Sequence, residues 1–129
     1  MVKKCGKDSK AKEVKEAMVE IKALREDLYK NVNVTGKANE CNEQLAKAGG
    51  VADCLELGEL FAKDDLERKE SCGGHFREES QTPEGEAMRD DENFTFVSAW
   101  EYKGEPADAV LCKEALNYEE IEVKTRSYK

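Results

Sequence analysis

The stretch Ser9–Lys30 reads SKAKEVKEAMVEIKALREDLYK. Its apolar residues Val14, Met18, Ile21, then Leu24 or Arg25, and Leu28 recur at steps of three and four, and Val32 extends the series. This is the spacing of one face of an α-helix, not the alternation of a strand. Lys15, Glu16, Lys22, Glu26 and Asp27 cover the other face, and Ser9 is a candidate N-cap. Asn31-Val-Asn-Val-Thr-Gly36 concentrates Asn, β-branched residues and Gly, so it should break the helix near Lys30.

A longer pattern follows: Ala38, Cys41, Leu45, Ala48, Ala52, Leu55, Ala62 and Leu66, with Glu59 at the one polar position. Val51, Leu57, Leu60 and Phe61 form a second stripe, so this helix should touch more than one neighbour. Gly49-Gly50 lies inside it at a cost of roughly 1 kcal/mol per Gly relative to Ala. That cost points to a backbone approached closely by a neighbour or to a local break, and a continuous helix is the expectation. The short connection makes the two helices an antiparallel hairpin. The second helix should close at Ser71-Cys-Gly-Gly74, where glycine can turn left-handed.

The remainder is different in kind. Phe76 to Asn93 is polar and aperiodic, with Pro83 and Gly85 marking a turn. Phe94 to Tyr102 alternates as a strand, Phe94, Phe96, Ser98, Trp100 and Tyr102 pointing one way. Lys103-Gly-Glu-Pro106 turns the chain, and Val110–Lys113 and Tyr118–Lys124 are further strand candidates. The fold class is therefore mainly α: a helical hairpin over 11–72, after a disordered lead-in over 1–10 and before a polar loop over 73–93 and a β-rich tail over 94–129.

Composition limits the function. The 129 residues carry a net charge of −8, which lacks the clustered positive charge that nucleic-acid binding needs. No run approaches the roughly 18 apolar residues of a membrane span, and the start has no signal-peptide core. A cytoplasmic location is the expectation. Charged residues make up 39% of the chain, and Leu, Ile, Val and Phe together only about 19%. Chains at that border struggle to offset the entropy of ordering, so the apolar faces must be well placed or meant for something larger.

Five cysteines, Cys5, Cys41, Cys54, Cys72 and Cys112, contain no Cys-x-x-Cys pair and fit reduced thiols. Cys72 and His75 could supply two ligands to a metal, but two more would have to come from Cys41, Cys54 or Cys112. The same two residues could form a thiolate–imidazole pair, for which no orienting group or oxyanion hole is evident. Neither outweighs the simpler expectation: a loop turned by Gly73 and Gly74, with His75 bonded to backbone and Arg77 paired with a carboxylate. From the residues alone the chain is an acidic helical hairpin with a β-rich tail, and a free-standing acidic helical interaction module is one function open to it.

Leu55-Glu-Leu-Gly-Glu-Leu60, Glu67-Arg-Lys-Glu-Ser-Cys-Gly-Gly-His-Phe-Arg-Glu-Glu79 and Arg89-Asp-Asp-Glu92 resemble the C-terminal region of the flavoprotein subunit of fumarate reductase and succinate dehydrogenase. The family pattern is Ser-Arg-Gly-Ala-His-x-Arg-x-Asp followed by Arg-Asp-Asp. Ser71, Gly73, His75, Arg77 and Arg89-Asp90-Asp91 match it, whereas Cys72, Gly74 and Glu79 depart from it. With Trp100-Glu-Tyr-Lys-Gly104 and Arg126-Ser-Tyr-Lys129, the form is most similar to a Bacteroides-like branch. The resemblance implies a C-terminal structural segment of an enzyme that interconverts fumarate and succinate through FAD. FAD and the residues of hydride transfer, proton delivery and substrate binding would lie upstream, leaving no catalytic, cofactor or metal residue here. The hairpin would be the second and third helices of a three-helix, spectrin-repeat-like bundle, with the first preceding Cys5-Gly6. His75, Arg77, Arg89 and Asp90 would form a polar network pinning the helix end to the tail. The partners implied are the rest of the flavoprotein subunit and the iron–sulfur subunit, at the cytoplasmic face of the inner membrane. Alone, the chain should self-associate.

Overall fold

A computed structural model describes residues 8–37, 39–104 and 107–124. Cys5, Ala38, the Glu105-Pro106 part of the expected turn and the Arg126–Lys129 ending lie outside the described residues. The chain order is β1 (Asp8–Ser9), α1 (Ala11–Asn31), α2 (Glu43–Glu67), β2 (Phe76–Arg77), α3 (Asp91–Phe94), β3 (Phe96–Glu101) and β4 (Val110–Ala115). The fold is mainly α with a small antiparallel β tail, as expected from the two spacing patterns. No helix among the described residues is long and apolar enough to cross a membrane.

α1 buries Val14, Ala17 and Ile21, with Met18, Arg25 and Leu28 half-buried beside them. Arg25 rather than Leu24 takes the ambiguous position, because its guanidinium reaches Glu56 and Glu59 of α2 at 3.9 and 3.8 Å. Lys22 pairs with the same Glu59 at 3.2 Å. Rising numbers on α1 therefore meet falling numbers on α2, and the helices run antiparallel. The buried positions of α2 are Gly58, Ala62 and Asp65. Small residues at 58 and 62 leave room for the larger Val14 and Ile21.

Several boundaries differ from expectation. Ser9 does not cap α1; it is buried in β1, which pairs in parallel with β2 at Asp8↔Phe76 and Ser9↔Arg77. The lead-in is thus ordered from Asp8 onward, by a partner 68 residues away that no local pattern could reveal. The cap comes instead from Glu79, whose Oε1 accepts the Ala11 N–H at 2.9 Å. α2 begins at Glu43, not Ala38, because the Asn42 side chain accepts from the Gln44 and Leu45 N–H groups at 3.1 Å each. Gly36, at φ 114°, lies so close that a Cβ there would stand 2.5 Å from Asn42 Nδ2. α2 runs unbroken through Gly49-Gly50, yet among the described residues nothing lies within 4 Å of a Cβ built at either.

The helix also stops earlier than Ser71–Gly74. It ends at Glu67, and Gly73 (φ 60°) instead turns a tight bridge in which Cys72 and His75 exchange backbone hydrogen bonds at 2.9 and 3.0 Å. Phe94 belongs to α3, capped by Asp90, so the strand starts two residues late. β3 pairs with β4 in antiparallel register from Phe96↔Ala115 to Glu101↔Val110. The expected alternation holds, with Phe96, Ser98 and Trp100 half-buried and Val97, Ala99 and Glu101 exposed. Tyr118–Lys124 joins no ladder; two apolar residues give it no face to bury, and Ile121 is exposed.

Candidate functional site

The densest polar cluster forms where α2 ends. A helix leaves its last carbonyls without intrahelical donors, and here the 72–80 segment folds back to supply them. Arg77 is 5% exposed, and its Nη1 donates to the carbonyls of Asp65, Leu66 and Arg68, each at 3.4 Å. The positive charge also suits the negative end of the helix dipole. Its Nε lies 3.5 Å from Glu79, the residue that caps α1, so one pair links the ends of both long helices. Burial opposes ionisation of Glu79. The Ala11 N–H, its own N–H and the Arg77 guanidinium prevail and hold the carboxyl below its ordinary range.

His75 lies beside Arg77. Nδ1 faces Asp65 Oδ1 at 3.2 Å and Nε2 faces the Arg68 carbonyl at 3.0 Å. Buried Asp65 also accepts from Ser9 Oγ at 3.1 Å, which ties β1 to α2. Ser71, fully buried, accepts the Arg77 N–H at 2.8 Å and donates back to the Arg77 carbonyl at 3.2 Å.

A second branch runs to the tail. Arg68 donates to buried Glu70 at 2.8 Å and to the carbonyls of Phe94 and Phe96 at 3.2 and 3.1 Å, while its guanidinium lies over the Phe96 ring at 5.1 Å. The other oxygen of Glu70 accepts the Asp90 N–H at 2.9 Å. Asp90 uses its side chain to cap α3. Arg89 pairs with Asp91 and donates to the Lys124 carbonyl at 3.4 Å. The Asp91 hydrogen bond raises its pKa further above the ordinary value, and its Nε is buried without a partner.

Of the four residues singled out from sequence, His75 and Arg77 thus share the Arg68 carbonyl. Asp90 joins them through Glu70 and Arg68, whereas Arg89 binds the far side of the tail. Sequence reasoning missed Ser9, Asp65, Arg68 and Glu70. Asp65 had a signal: it falls three residues after Ala62, on the buried stripe of α2. A cavity of about 440 Å³ opens beside the cluster, lined by Ser9, Asp64, Asp65, Cys72 and His75 among others. Among the described residues no three His, Cys, Asp or Glu side chains are grouped to hold a metal.

The family described as "Fumarate reductase flavoprotein C-term" matches residues 1–128. No curated protein matches the chain. Among solved structures, a mutant of E. coli quinol fumarate reductase FrdA superposes with a TM-score of 0.79 at 22% identity, over 97% of this chain and 20% of that one. At that identity the likeness is one of fold, and the chain spans about a fifth of that protein's length.

Proposed function

The chain belongs to the fumarate reductase flavoprotein C-terminal family, and from that premise we propose that it is the C-terminal structural segment of a subunit that interconverts fumarate and succinate through FAD. The observation that carries this reading is the family match over residues 1–128. The polar cluster supports it, because its charged groups are turned toward backbone carbonyls and one another rather than toward a reacting centre. His75, Arg77, Arg89 and Asp90 act as positioning groups: they fix the end of α2 against the segment that leads into the tail.

FAD belongs to the rest of the subunit in this reading. The sequence has no Gly-x-Gly-x-x-Gly loop to cradle a pyrophosphate. The cavity of about 440 Å³ beside the polar cluster presents Asp64 and Asp65, which would repel one, and its Arg68 is already bound to Glu70. The hairpin supplies two helices of a three-helix, spectrin-repeat-like bundle. Its partners are the rest of the flavoprotein subunit and, in the assembled enzyme, the iron–sulfur subunit at the cytoplasmic membrane face.

The test is to give the 129-residue chain FAD, succinate and an artificial electron acceptor. No turnover is expected, and turnover would overturn the proposal. In the complete subunit, His75→Ala should lower assembly yield or thermal stability while leaving KM for fumarate within about twofold; a selective rise in KM would make His75 a substrate-site residue instead.

A further inference from the structure

A second cavity, of about 380 Å³, lies between the middle of α2 and the β tail, away from the polar cluster. Its volume is at the low end of small-ligand and side-chain pockets, about 300–1,000 Å³. Leu57, Leu60, Trp100 and Tyr102 give it an apolar, partly aromatic floor. Two of these are open to solvent, Leu57 at 67% and Tyr102 at 69% exposure. Asp53, Glu56 and Asp108 stand around the edge.

The cations in the wall are already engaged. Arg25 lies 3.9 and 3.8 Å from Glu56 and Glu59. Lys63 donates to the Ala109 carbonyl at 3.0 Å, lies 3.6 Å from Asp108 and sits 5.1 Å from the centre of the Trp100 ring. Asp53, Glu56, Glu59 and Asp108 face Arg25 and Lys63 within the lining, and Lys22 pairs with Glu59 from outside it at 3.2 Å, which leaves one negative charge in surplus around an exposed apolar floor. An anionic ligand would be repelled, and a wholly apolar one would leave the surplus charge uncompensated.

We infer that this groove is a docking site for a basic, aliphatic protein segment, in which leucine-like side chains cover Leu57 and Tyr102 while arginine or lysine heads meet Asp53, Glu56 and Asp108. Trp and Tyr anchors inside a polar, charged rim are the composition of a small interface centre. The inference does not depend on the flavoprotein reading, since it rests on the groove alone.

Trp100 is the chain's single tryptophan, so its fluorescence reports on the groove directly. The probe is a blocked nine-residue peptide of leucines and arginines. Its control carries citrulline, a neutral isostere, at each arginine position. Both are titrated into the dilute, monomeric chain. A saturable change in Trp100 emission is expected with the arginine peptide, and binding at least tenfold weaker with the citrulline peptide. The paired substitution Asp53→Asn/Glu56→Gln should weaken the arginine peptide at least tenfold, whereas Glu119→Gln/Glu120→Gln, which removes the same charge elsewhere, should leave it within twofold. Equal affinity for the two peptides, or equal loss from both paired variants, overturns the inference. So does emission that answers only to the chain's own concentration, which would assign the groove to a second copy.

Discussion

Removing the Arg77 guanidinium strands the Asp65 and Leu66 carbonyls at the end of α2, leaves the Arg68 carbonyl to His75 alone, and takes the cation from Glu79. Hydrogen bonds to charged donors contribute about 1.5–3 kcal/mol, and unpaired buried acceptors cost more than the lost bonds alone. Arg77→Met should therefore lower unfolding free energy by about 2–4 kcal/mol, read from the urea midpoint of the isolated chain. Arg77→Lys should recover less than half, because one ammonium cannot span three carbonyls and Glu79 together. An unchanged midpoint for Arg77→Met would mean that these contacts do not hold the junction. The junction was half legible in the sequence. Ser71, His75 and Arg77 stood out because a family motif places them close together. Asp65, Arg68 and Glu70 did not, because on a chain that is 39% charged they look like solvated helix surface. Only the fold shows that Asp65 and Glu70 are buried, at 7% and 3% exposure, and what each of them accepts.

Along the elements, legibility followed the range of the forces. α1 and α2 were readable because steps of three and four fix one helical face from residues close in sequence. Their ends were not. Asn42 offers a side-chain acceptor that outcompetes continuation of the pattern back to Cys41, and Asp90 does the same for the turn that takes Phe94 out of the strand. β1 and β2 are two-residue strands held by each other across the chain, with no local periodicity. The glycine pair in α2 turns one expectation into a test. Gly49 and Gly50 have helical backbone and open space at both Cβ positions. Each Gly→Ala change should thus stabilise the isolated chain by about 0.5–1 kcal/mol through the entropy of the unfolded state. Circular dichroism melting should show the double variant several degrees higher. Within a complete subunit the same pair discriminates: if another element packs closely there, Gly49→Ala/Gly50→Ala should hinder assembly while stabilising the free chain. A lower melting temperature for the free chain would restore the close-neighbour reading within this fold.

For the molecule as a whole, the difficulty is that α2 is apolar on two sides while α1 covers one. Gly58, Ala62 and Asp65 face inward, but Cys54, Leu57 and Phe61, again three and four residues apart, are exposed, the last two at 67% and 60%. A helix apolar on more than one side is one built to touch more than one neighbour. Two helices and a ribbon do not bury it, so the stripe should bring copies of the chain together unless another element covers it. The weight-average mass by sedimentation equilibrium should rise above 14.5 kDa as concentration increases under reducing conditions. Phe61→Glu should return it to the monomer value with little loss of helicity, because that side chain is exposed within the fold. Cys54 makes the geometry checkable: if the stripes of two copies face each other, mild oxidation should yield a covalent dimer that Cys54→Ser abolishes, whereas Cys41→Ser and Cys112→Ser, at other exposed thiols, should not. A chain that stays monomeric at every concentration would show that this stripe does not drive association.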